Sequence, residues 1–143
     1  MIKPFDTTLY EDNDDAKHQV IEWMTKKGFE AEVNPDQYGI DILADKDGIR
    51  YEVEVEVKHN WVGKRFPFGE VHFPARKKKF AKKSEYVWFV MLNHERTHGL
   101  IVEGYDFVKG RTVQKNTSEM NGDFFVEIPT FNCKFITLEE ESE

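Results

Sequence analysis

The chain has 143 residues, of which 39% are hydrophobic and 14% aromatic, enough for one domain with its own core. No apolar run is long enough to span a membrane, no signal-peptide pattern opens the chain, and the single cysteine, Cys133, excludes an internal disulfide. These features suit a reducing, cytoplasmic setting.

The net charge of −7 is unevenly spread. Residues 58–83 hold nine basic residues and one acid, Glu70, so this stretch carries +8 and the rest −15. Charge polarised in this way suits a protein that grips an anion on one side.

In chain order, Met1 to Asp12 has no clear period and reads as an arm or first turn. Ala16, Val20, Trp23 and Met24 recur at helical spacing, Asn13 or Asp14 can cap, and Gly28 can stop the run. The expectation is an amphipathic helix over 14–27. Phe29 to Val33 alternates like a strand, and Asn34-Pro35-Asp36 is turn chemistry.

The segment from Gly39 to Lys58 is the most informative. Ile40 to Ala44 is apolar apart from Asp41, and Asp47-Gly48 signals a tight hairpin turn. From Ile49 to Lys58 the chain alternates strictly, with Tyr51, Val53, Val55 and Val57 on one face and Glu52, Glu54, Glu56 and Lys58 on the other. Ordinary half-burial explains the alternation, but three glutamates on one face repel and invite a cation. A two-residue turn puts Asp41 opposite Glu54 with Glu56 as the diagonal neighbour, about 5 and 7 Å away between Cβ atoms. Carboxylates so placed reach one divalent cation, and oxygen-only ligation favours Mg²⁺ or Mn²⁺. Lys58, two residues beyond Glu56, lies beside such a metal without ligating it and suits phosphodiester hydrolysis.

His59 to Pro74 reads as an irregular loop in which aromatics interleave with Lys64 and Arg65. Contact with bases or sugars and burial over the core are equally good readings of those rings. His59 and His72 have no partner at zinc spacing and read as polar loop residues. Pro74 is expected to open a second helix over 75–83, with Arg76, Lys77, Lys78, Lys79, Lys82 and Lys83 as a nucleic-acid-binding face and Arg76 as the phosphate clamp. Glu85 to Leu92 reads as a strand buried on both faces, followed by a strand over 99–103, a weakly patterned excursion to Gly122, and strands over 124–128 and 134–138. Cys133 reads as a buried small residue. The whole chain, 1–143, is expected to be one domain: a core over about 14–102, a C-terminal β extension over 103–138 and an acidic tail over 139–143.

Gly-Ile-Asp41-Ile-Leu-Ala, a turn, then Val-Glu56-Val-Lys58 resembles the core of the PD-(D/E)XK nuclease superfamily, which includes restriction enzymes, archaeal Holliday-junction resolvases and phage nucleases. Ile40 stands where the family name has proline. The resemblance implies an α+β, restriction-endonuclease-like fold of order αβββαβ, with a central mixed sheet flanked by helices and followed here by extra strands. It also implies a metal held by Asp41, Glu56 and the carbonyl of Val57, with Glu54 as a further candidate, and Lys58 assisting the attacking water. DNA is the implied substrate, a homodimer is an arrangement such relatives use, and a first-helix acid, Asp15 or Glu22, can join the site. A non-catalytic nucleic-acid-binding module on the same fold, or a protein-interaction domain, are the alternatives.

Overall fold

Ala16, Val20 and Met24 fall on one stripe of α1 (Thr7–Lys26) and are fully buried. Burying Val and Met side chains stabilises by about 1.5–3 kcal/mol each. The computed structural model describes residues 7–36, 38–81, 86–115 and 123–138. The helix starts seven residues before the expected Asp14, so the candidate caps Asn13 and Asp14 lie inside it, and part of the expected arm is helical. The acidic tail and Lys82 and Lys83 lie outside the described residues.

Gly28, at φ +95°, ends the helix and turns the chain into β1 (Glu30–Val33). A six-stranded mixed sheet follows, ordered β1, β2 (Ile42–Lys46), β3 (Ile49–Val57), β5 (Val87–Leu92), β6 (His98–Glu103) and β9 (Lys134–Thr137). The β2–β3 hairpin closes through Asp47 and Gly48 at φ +53° and +79°, the positive values a type I′ turn needs, with Lys46 paired to Ile49 as expected. β3 and β5 are parallel; every other pair in this sheet is antiparallel.

The crossover from β3 to β5 departs from the expected loop and long helix. It contains β4 (Glu70–Pro74), a 3-10 turn over Ala75–Lys77 and the single turn α2 (Lys78–Ala81). Pro74 both closes β4 and caps the 3-10 turn, so helical structure begins at Ala75 as expected, starting as a 3-10 turn. β4 pairs with β8 (Asp123–Pro129), which pairs with β7 (Arg111–Lys115), forming a second antiparallel sheet. The excursion after Glu103 contains α3 (Gly104–Lys109), which buries Phe107.

The core lies on both faces of the large sheet. One face packs Ile42, Ala44, Val53, Val55, Val90 and Leu92 against α1. The other packs Phe89, Met91, Leu100 and Val102 against Val71, Phe73, Val126 and Ile128 of the small sheet and Phe107 of α3. β5 is buried on both faces, as its unbroken apolar run implies. The architecture is α+β, in three layers, with the expected order interrupted by β4.

Candidate active site

The loop before β2 aims Asp41 at β3. Asn34 Nδ2 donates to the carbonyl of Ile40 at 2.9 Å, and the Asn34 amide donates to the carbonyl of Asp41 at 2.9 Å. Gly39 packs so closely here that an added Cβ would lie 2.7 Å from Asn34 Nδ2. The amide of Asp41 donates to Glu54 Oε1 at 3.1 Å, and the amide of Val55 donates to Asp41 Oδ2 at 2.9 Å. Regular pairing thus gives way to side-chain bonds at Asp41, and β2 starts at Ile42 instead of Ile40.

β3 carries Glu54 and Glu56 on the face opposite Val53 and Val55, yet that face is not in water. Lys77 of the crossover reaches over it, and Glu54 is only 8% exposed. Burial and the nearby Asp41 carboxylate push the Glu54 carboxyl up to about 7. Lys77, at the end of the 3-10 turn, points its ammonium inward, 3.5 Å from Glu54 Oε2 and 3.8 Å from Glu56 Oε2. At 3.8 Å the second contact is an ion pair without a hydrogen bond, and buried Glu56 Oε2 has no hydrogen-bond partner. On the opposite side, Lys17 of α1 approaches Asp41 Oδ1 at 3.3 Å.

Lys58 follows Glu56 in the same alternation. Its amide donates to the carbonyl of Leu92 at 2.8 Å, continuing the β3–β5 ladder past Val57, and its ammonium lies 5.1 Å from the centre of the Phe68 ring. The loop carrying Phe68 is tied down by buried Asn93, whose Nδ2 donates to the carbonyl of Gly63 at 3.0 Å while its Oδ1 accepts from the amide of Thr97 at 2.9 Å. The amide of His94 donates to the carbonyl of Trp61 at 2.7 Å. The ends of β3 and β5 therefore hold this loop beside Lys58.

No family model matches this chain, and no curated protein matches it. Its architecture has counterparts among solved structures. Hjc, a Holliday junction resolvase from Archaeoglobus fulgidus, superposes with a TM-score of 0.52 at 12% identity, covering 81% of this chain and 84% of the resolvase. The fold is restriction-endonuclease-like. D212, a nuclease from a fusselovirus, aligns over 94% of this chain and 89% of its own, with a TM-score of 0.47 and 13% identity.

On this fold, Asp41 and Glu54 meet directly, and Glu54 and Glu56 share Lys77. Of the acids considered on the first helix, Asp15 Oδ2 is 3.9 Å from Arg96, and Glu22 Oε1 pairs with Lys26 at 3.3 Å. The helix also sends a lysine, Lys17, to Asp41. The basic face is also redistributed. Lys77 faces inward, Lys78 Nζ donates to Thr112 Oγ1 at 3.0 Å, and Lys79 lies 5.0 Å from the Phe80 ring centre. Arg76, Lys64 and Arg65 are exposed. Of the loop aromatics, Trp61 and Phe66 are buried, whereas Phe68 stays open. Cys133 is half-buried in a bend before β9, and burial pushes its thiol up to about 12.

The second sheet brings Glu70, His72 and Glu127 together, with ligand atoms within 4.8 Å of one another. Little in the sequence signals this group, because His72 and Glu127 lie 55 residues apart and meet only through the pairing of β4 with β8. Glu127 is already held from both sides: Oε2 lies 3.0 Å from His72 Nε2, and Oε1 accepts from Arg111 Nη2 at 3.0 Å.

Among the described residues, no helix is long and apolar enough to cross a membrane.

Proposed function

We propose that this chain is a metal-dependent deoxyribonuclease that hydrolyses phosphodiester bonds at the β2–β3 hairpin. The observation that carries this reading is an under-neutralised carboxylate group, buried Glu54 with half-buried Asp41 and Glu56, on a nuclease fold, with Lys58 the next residue in their alternation. The donor set suits a divalent cation: it is all oxygen, Glu56 Oε2 lacks a hydrogen-bond donor, and Glu54 is pushed towards protonation by the crowding. Asp41, Glu56 and the carbonyl of Val57 would hold Mg²⁺ or Mn²⁺, with Glu54 as a fourth donor.

A divalent cation bound there lowers the pKa of a water and neutralises charge on the phosphate. The ammonium of Lys58 orients the attacking water and stabilises developing negative charge. Exposed Arg76, Lys64 and Arg65 hold flanking phosphates, with Lys78 and Lys79 extending the basic surface. Lys77 serves a different end from the one its place in the basic run implies: it neutralises Glu54 and Glu56 while no divalent cation is bound.

The test is incubation with linear, nicked, flapped and four-way DNAs in Mg²⁺ or EDTA. Cleavage of at least one substrate in Mg²⁺ and none in EDTA is expected. Lys58→Ala should slow cutting by about 10²–10³-fold with DNA affinity unchanged. A wild-type protein that binds DNA and cuts none of the panel overturns the reading.

A further inference from the structure

An open cavity of about 560 Å³ lies beside Lys58 and not over the carboxylates. Lys64, Arg65, Phe66, Phe68, Thr130 and Phe135 contribute to its wall. Its size is within the range of small-ligand pockets. Three of these residues are aromatic, two are cationic, and no carboxylate lines it.

The rings differ in what they do. Phe66 is buried, edge-on to Trp61 at 5.0 Å, and belongs to the core. Phe68 is 41% exposed and Phe135 50% exposed, the second on edge strand β9 far away in sequence. Phe68 meets Phe66 edge-on at 5.4 Å, so its open ring is supported from behind. Phe68 also carries the Lys58 ammonium 5.1 Å from its centre, which puts one wall of the cavity against the residue read as catalytic.

We propose that this cavity receives the unpaired base of a DNA nucleotide adjoining the phosphate at Lys58, stacked on Phe68 and Phe135. The proposal rests on the nuclease reading of Lys58. A base offers the π-face these rings need, and its phosphates match Lys64 and Arg65 on an otherwise acidic chain. A base inside a duplex must be unstacked and unpaired before it can enter, at a cost in free energy, so a nucleotide already unpaired, as in a flap, gap or bulge, is the favoured occupant.

The test is fluorescence anisotropy in EDTA, where no cutting occurs, on three matched DNAs: a perfect duplex, the same duplex with one unpaired nucleotide, and that DNA with an abasic unit at the unpaired position. The unpaired nucleotide should raise affinity about tenfold over the duplex, within the range a stacked base contributes, and the abasic unit should remove the gain. Phe68→Leu and Phe135→Leu keep apolar volume and lose the flat ring; each should remove most of the gain and leave duplex affinity unchanged. Equal affinity for base and abasic DNAs, or equal weakening of all three DNAs in the leucine variants, overturns the proposal. So does a dimer, seen by sedimentation, that Phe135→Leu dissolves, because a second copy would then fill the cavity. Cleavage in Mg²⁺ is scored separately: cutting without base discrimination sinks the pocket alone, and discrimination without cutting sinks the nuclease reading alone.

Discussion

On β8, Glu127 sits in a cross-strand row, with His72 opposite on one side and Arg111 on the other. Both oxygens are satisfied, and the hydrogen bond from His72, then the charge of Arg111, hold its carboxyl below the usual glutamate range. On β3, Glu54 is buried beside another acid, and its carboxyl is pushed up to about 7 although Lys77 stands 3.5 Å away. The sequence makes both residues alike, a glutamate in an alternating strand. One row completes its own electrostatics. The other leaves a buried oxygen of Glu56 without a donor, and an incompletely neutralised group is the one with most to gain from a bound cation.

The largest expected difference is in metal binding. Asp41→Asn should abolish Mg²⁺ or Mn²⁺ binding in calorimetry, while Glu127→Gln should bind as wild type. The reverse result would move the metal site to Glu70, His72 and Glu127.

Lys77→Met sharpens the same contrast. Breaking a buried ion pair costs about 3–5 kcal/mol, but Glu54 can take up a proton, so a loss of about 1–3 kcal/mol in EDTA is expected by denaturant unfolding. Without the competing ammonium, the variant should gain more stability than wild type on adding Mg²⁺, and an equal gain would show that Lys77 and the cation do not compete. Gly39→Ala is milder. Its Cβ would force Asn34 off the carbonyl of Ile40, costing about 0.5–1.5 kcal/mol and weakening metal affinity a few-fold, readable by melting and calorimetry. An unchanged affinity would mean that Asp41 is held without that loop.

The smallest effect is on acid stability. A depressed Glu127 carboxyl favours the folded state above the ordinary glutamate value of about 4.3, and this contribution fades as pH falls through its own lower value. Glu127→Gln should therefore flatten the acid limb of stability below about pH 4.3. An unaltered acid limb would remove Glu127 from that account.

The amino-acid sequence by itself determined the α1 stripe through Ala16, Val20 and Met24, the type I′ turn at Asp47-Gly48, and the register that sets Asp41 against Glu54. Each follows from a local period or from the backbone angles of neighbouring residues. Only the tertiary structure decided that β4 is a strand, because its partner β8 pairs His72 with Glu127, 55 residues away. It also decided that the glutamate face of β3 is covered, that Lys77 turns inward, that Lys17 reaches Asp41, and that Phe135 joins Phe68 across one cavity. Alternation says which residues share a face; what packs on that face depends on contacts between segments distant in the chain, and these carry no local period.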